Sequence, residues 1–138
     1  MFLSELNEDQ KRSYLALATR MILADGDVAP EEDAVLNSIR AELGEGIIAP
    51  PEEVFGTTNA DVFDTLKSRV IVVLEILVMA YSDQRLHVDE STVLEEIRTA
   101  LGVDDAALET MTAWARRCVE GEDEATLRDE AGAMMNAG

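Results

Sequence analysis

The chain has a single cysteine, Cys118, so it can form no internal disulfide and no multi-cysteine zinc or iron–sulfur site from one copy. A reducing, cytoplasmic setting is expected. Basic residues are scarce too: eleven Lys and Arg stand against 29 Asp and Glu, giving a formal charge of -18. Such a field opposes the phosphate neutralisation that drives nucleic-acid binding, and it disfavours anionic membrane surfaces. Divalent cations, or other proteins carrying a basic patch, are the partners it would attract; the same charge also serves simply to keep a chain soluble. Long apolar runs are missing. The longest, Val70 to Tyr81, is interrupted by Glu75 and falls short of the roughly 20 residues that cross a bilayer, so no membrane insertion is expected. The opening MFLSELNEDQKRS has no basic region followed by an apolar core and does not read as a secretory signal. A nucleophile with a base, a Gly-rich phosphate loop and a zinc-ligand constellation are all lacking, so no enzyme is expected. Strand alternation and two-residue hairpin signals are lacking as well, which leaves an all-α fold.

What is present is helical periodicity. With 138 residues and 47% apolar content, the chain can bury one continuous core as a single domain over residues 1–138. Asn7 and Gln10 make a capping box ahead of Tyr14, Leu17, Ala18 and Met21, which predicts a helix from about Glu8 to Ala24. Asp25-Gly26 breaks it, and Pro30 opens a second helix, with the stripe Leu36, Ile39 and Leu43, that stops before Gly44. Residues 45–59 read as a connector with one short helix at PEEVF. A long helix is expected from about Ala60 to Ser82, with room for a bend near Ser68.

The two halves then align without a gap. DGDVAPEEDAVLNSIRAELG and DQRLHVDESTVLEEIRTALG share one constant offset, the one that carries Asp25 onto Asp83. Matches occur at Met21/Met79, Asp25/Asp83, Glu32/Glu90, Val35/Val93, Leu36/Leu94, Ile39/Ile97, Arg40/Arg98, Leu43/Leu101 and Gly44/Gly102. The chain thus holds two hairpins of one design, spanning about 8–44 and 60–102, each a helix, an acidic turn, a helix and a terminal glycine. Asp104 can cap a further helix with the stripe Ala107, Met111, Ala115 and Cys118. A last helix, about Asp123 to Met135, carries Leu127, Ala131 and Met134, which makes about six or seven helices in a compact bundle.

The first acidic turn, ADGDVAPEE, reproduces the second half of an EF-hand loop. The likeness fails upstream, where the first and third ligand positions would fall on Met21 and Leu23, and the second copy has Gln84 for the glycine. Helical phase is sharper. Glu32 stands at the head of the stripe Leu36, Ile39 and Leu43, Glu90 over Leu94, Ile97 and Leu101, and Asp25 continues the face of Ala18 and Met21. Each hairpin therefore aims an Asp and a Glu inward at its mouth, with Glu31 and Asp33 outward. An inward carboxylate must be hydrogen-bonded, paired or metal-bound. Three readings stand side by side. The pairs cap helix starts, each contact contributing about 0.5–2 kcal/mol; or Asp25, Asp27 and Glu32, with Asp83 and Glu90 if the turns meet, hold a divalent cation; or the mouths dock another protein. No other cofactor is implied.

Three single residues stand apart from these patterns. His87, three before Glu90, reads as an exposed turn residue, its counterpart being Ala29. Glu75 is either buried, with a raised pKa or a partner such as Arg69 or Arg98, or on an exposed side of its helix. Cys118 has Arg116 and Arg117 beside it to lower its pKa, but its phase on the apolar stripe indicates packing. A homodimer is compatible with all of this.

The doubled pattern MILADGDVAPEEDAVLNSIRAELG and LVMAYSDQRLHVDESTVLEEIRTALG resembles the TerB-like family associated with bacterial tellurite resistance, over roughly residues 8–104. The resemblance implies a compact all-helical domain and a cytoplasmic, non-enzymatic, stress-associated protein that binds metal ions or assembles with proteins. It places the family's acidic residues on Asp25 and Glu32, and on Asp83 and Glu90. The second motif departs from the pattern, with Ser82 for alanine and Gln84 for glycine.

Overall fold

A computed structural model describes residues 2–23, 30–44, 46–49, 51–56, 60–82 and 88–136; for 30–33, 35, 82 and 88–91 the backbone alone is described. The described residues form seven α-helices and two short 3₁₀ helices, with no strand among them. The order is a 3₁₀ turn at Leu3–Glu5, α1 Glu8–Leu23, α2 Pro30–Leu43, α3 Pro51–Val54, a 3₁₀ turn at Ala60–Val62, α4 Leu66–Ser82, α5 Val88–Ala100, α6 Asp105–Val119 and α7 Glu124–Asn136. The all-α expectation holds.

Each start follows from local chemistry. The Asn7/Gln10 box closes as expected: Gln10 N–H donates to Asn7 Oδ1 at 2.8 Å, and Asn7 N–H donates to Gln10 Oε1 at 3.0 Å. Asp104 accepts from Ala107 N–H at 2.8 Å to open α6, and Asp123 accepts from Thr126 N–H at 3.0 Å to open α7. The terminal glycines behave alike. Gly44 and Gly102 take φ of +102° and +74°, which side chains rarely adopt. At Gly102 the chain reverses as Val103 N–H donates to Arg98 O at 2.9 Å.

One expectation is corrected. The helix expected from Ala60 to Ser82 is instead a 3₁₀ turn at Ala60–Val62, a break over 63–65, and α4 beginning at Leu66. Thr65 is the reason. Ser68 N–H donates to Thr65 Oγ1 at 3.1 Å and Thr65 N–H to Ser68 Oγ at 3.3 Å, a second capping box. The offset that carries Asp25 onto Asp83 also carries Asn7 and Gln10 onto Thr65 and Ser68. It likewise carries the first residue of α1, Glu8, onto the first of α4, Leu66, and the first of α2, Pro30, onto the first of α5, Val88. The duplication therefore extends back to the caps. Asn7→Ala and Thr65→Ala should each cost about 1 kcal/mol of unfolding free energy, and their effects should add. Chemical denaturation of the two single variants and the double variant checks this.

The core is built around α4, which is apolar on every side. Val70 through Leu74, Ile76 and Leu77 are all buried, enclosed by α6 and α7 and by α1 and α5. The repeated stripes Leu36, Ile39, Leu43 and Leu94, Ile97, Leu101 are buried as their phase requires. Connector helix α3 is tied to α1: Ser13 Oγ donates to Glu53 Oε1 at 2.7 Å, and Arg20 donates to the carbonyls of Glu53 and Val54. Trp114 on α6 is 2% exposed and donates its indole N–H to Leu127 O on α7 at 2.8 Å. Phe2 lies against it, with ring centroids 6.2 Å apart.

Candidate functional site

The sequence points to the hairpin mouths. Glu32 and Glu90 are each the third residue of their helix, α2 and α5, in the position where a carboxylate meets unpaired backbone N–H groups and the positive end of the helix dipole. Their side chains lie outside what is described, as do Asp25, Asp27, Asp83 and His87 altogether, and the orientations expected for Glu31 and Asp33. Among the described residues, no group of three His, Cys, Asp or Glu side chains is gathered as a metal site would need. No helix there is long and apolar enough to cross a membrane.

Other expected participants turn out to be structural. Arg98, the repeat partner of exposed Arg40, latches α5 to α6: it donates to Val103 O at 3.1 Å, pairs with Asp105 at 2.9 Å and with Glu95. Arg69 donates to Phe63 O at 2.7 Å. Neither arginine partners Glu75 in these bonds; the Phe2 backbone N–H donates to Glu75 Oε1 at 2.9 Å instead. Glu75 is half-buried. Cys118 packs against the core, and burial, followed by the Glu75 charge, pushes its thiol pKa up. The neighbouring arginines do not reverse this, because they are engaged elsewhere. Arg116 sits 5.1 Å over the Tyr81 ring, and Arg117 makes a bidentate pair with Glu130 at 2.7 and 2.9 Å.

One concave feature brings titratable groups together that no local pattern joins. Where the N-terminal 3₁₀ turn, α1, α2 and α4 meet, a crevice of about 210 Å³ opens, lined by Tyr14 of α1, by Ser38, Ile39 and Glu42 of α2, by Glu75, Val78 and Met79 of α4, and by Leu3. Tyr14 is 1% exposed. Its pKa is raised well above the ordinary tyrosine value, first by burial and then by the Glu75 and Glu42 charges, so the phenol keeps its proton at neutral pH. No described residue hydrogen-bonds its hydroxyl, whereas every fully enclosed side-chain N or O atom among the described residues has a partner. The hydroxyl is therefore not fully enclosed and is open to the crevice that Tyr14 lines. Glu42 lies in the last turn of α2, where the helix dipole is negative and deepens the local field.

Comparison with protein-family models, with curated proteins and with solved structures found no match to this chain.

Proposed function

We propose that the chain is a non-enzymatic, acidic binding module of the TerB-like type, with the two hairpin mouths as its contact points and a cytoplasmic protein partner. The duplication carries this reading: α2 and α5 begin at matching positions of the two copies, Pro30 and Val88, and so hold Glu32 and Glu90 at the same third position. A charge of -18 supports a basic partner surface, attracted at long range. A role in resistance to tellurite or other stress would run indirectly, through cations or proteins. The tellurite oxyanion would have to approach a strongly acidic chain, so tight tellurite binding by the purified protein at physiological salt would defeat that route. The second reading is a divalent-cation binder using Asp25, Asp27 and Glu32, with Asp83 and Glu90, favoured by the Asp and Glu that recur at each mouth.

Calorimetric titrations separate the two. The module reading expects a lysine-rich peptide to bind in a salt-dependent way, about tenfold more weakly once Asp25→Asn, Glu32→Gln, Asp83→Asn and Glu90→Gln are combined. The cation reading expects saturable uptake of calcium, magnesium, manganese or zinc that Asp25→Asn with Glu32→Gln abolishes. If the wild type takes up neither peptide nor ion, both readings fall. Should the same substitutions then lower thermal stability, the pairs are helix caps.

A further inference from the structure

We propose that the crevice between α1, α2 and α4 is a binding site for an alkylammonium group, its ammonium received by Glu42, Glu75 and the Tyr14 hydroxyl, and its carbon chain by Leu3, Ile39 and Val78. Its residues are other than the acidic residues of the hairpin mouths. Four observations converge on it. The first is the Tyr14 hydroxyl, on a side chain almost wholly removed from solvent, lining the crevice and without a hydrogen bond from any described residue. Buried polar groups in folded proteins are almost always partnered, so one that faces an opening marks a place where a ligand or water completes it. The second is charge. Glu42 and Glu75 come from different helices and act on the same hydroxyl, so the ligand's polar end is a cation and anions are repelled. Both glutamates have other interactions, among them the Phe2 N–H on Glu75, but a carboxylate offers about four acceptor sites and is not exhausted by one donor.

Third, the walls are apolar and the volume is about 210 Å³. Apolar cavities of roughly 150 Å³ accept a benzene-sized guest, so a short alkyl chain fits here. A bare metal ion would leave those walls unused, and the phenol that stays protonated is a poor ligand for one. An ammonium with its chain uses both parts: three N–H donors for three oxygens and methylenes for the walls. Fourth, these polar groups are where the two copies part. At the offset that relates the hairpins, Tyr14 corresponds to Val72, Glu42 to Ala100, and Glu75 to Leu17. The corresponding positions thus carry none of these three polar groups, although the two copies share one frame.

Calorimetry with n-butylammonium, 1,5-diaminopentane, neutral n-butanol and a short peptide with one lysine tests the assignment on the full chain. Saturable binding of butylammonium, with butanol at least about tenfold weaker, is expected. Glu42→Gln, a change at an exposed position, and Tyr14→Phe should each weaken it by about threefold to tenfold, and Glu42→Gln with Glu75→Gln by more than about tenfold. Circular dichroism melting confirms that each variant is folded. If the lysine peptide binds as well as the free amine, the site takes lysine side chains of other proteins; if only the free amines bind, it takes small amines. Failure of the wild-type chain to bind any of the three amines, or binding that the folded Glu42→Gln and Tyr14→Phe variants leave unchanged, would overturn the proposal.

Discussion

Replacing Trp114 with alanine should cost about 4 kcal/mol of unfolding free energy, the scale for truncating a large buried aromatic. The indole is the largest of the fully buried side chains and belongs to α6, which packs on both α4 and α7. Alanine would leave a cavity in the core and would also remove the hydrogen bond that the indole N–H donates to Leu127 O at 2.8 Å. Trp114→Phe separates the two contributions. It keeps most of the packing and loses the hydrogen bond, so roughly 1–2 kcal/mol is expected. Urea denaturation should show a lowered midpoint with an unchanged slope for both variants. A Phe variant as destabilised as the Ala variant would mean that the hydrogen bond, and not the packing, sets the cost.

Trp114 also shows what periodicity reaches and what it misses. The stripe Ala107, Met111, Ala115 and Cys118 identifies the inward side of α6, and Met111 and Ala115 are buried. Trp114 lies beside that stripe, three residues after Met111. It is buried because α6 packs on both α4 and α7 and so covers a wider arc than a single stripe. The start of α4 is hidden for another reason: Ala60 and Phe63 stand at helical spacing ahead of it, and Thr65 with Ser68 is a weaker signature than a box closed by Glu or Gln. The duplication holds the missing signal, since the shift that superposes the two hairpins also lands Asn7 and Gln10 on Thr65 and Ser68.

The candidate sites divide along similar lines. The positions of Glu32 and Glu90 on their helices follow from Pro30, the acidic turns and the offset, all local features. Asp25, Asp27 and Asp83 fall between the described helices, so the chemistry of the mouths rests on sequence. The Tyr14, Glu42 and Glu75 grouping is the opposite case. Each residue looks ordinary in its own helix: Tyr14 as one apolar position of α1, Glu42 as a solvated charge near the end of α2, Glu75 as an interruption of α4. Only tertiary packing brings a phenol and two carboxylates to one opening. Long-range grouping of this kind leaves no spacing to read.

Phe2→Ala is expected to rank next in cost, at about 3 kcal/mol. Phe2 is 4% exposed, and three contacts tie it to different parts of the bundle: its N–H donates to Glu75 of α4, its ring meets Trp114 of α6, and the Arg128 guanidinium of α7 lies 5.5 Å over the ring. The N-terminal turn is thus an integral part of the core, which is consistent with burial of Leu3 and Leu6 beside it. A double-mutant cycle sharpens the claim. Tilted aromatic pairs contribute about 0.5–1.5 kcal/mol beyond the area they bury, so Phe2→Ala should cost about 1 kcal/mol less in a Trp114→Ala background than in the wild type. Equal costs in the two backgrounds would show that the rings do not couple, and that Phe2 is held by its backbone bond and by Arg128. Because Leu3 lines the crevice one residue further on, Phe2→Ala should also loosen one wall of that site and weaken butylammonium there without touching Glu42 or Tyr14.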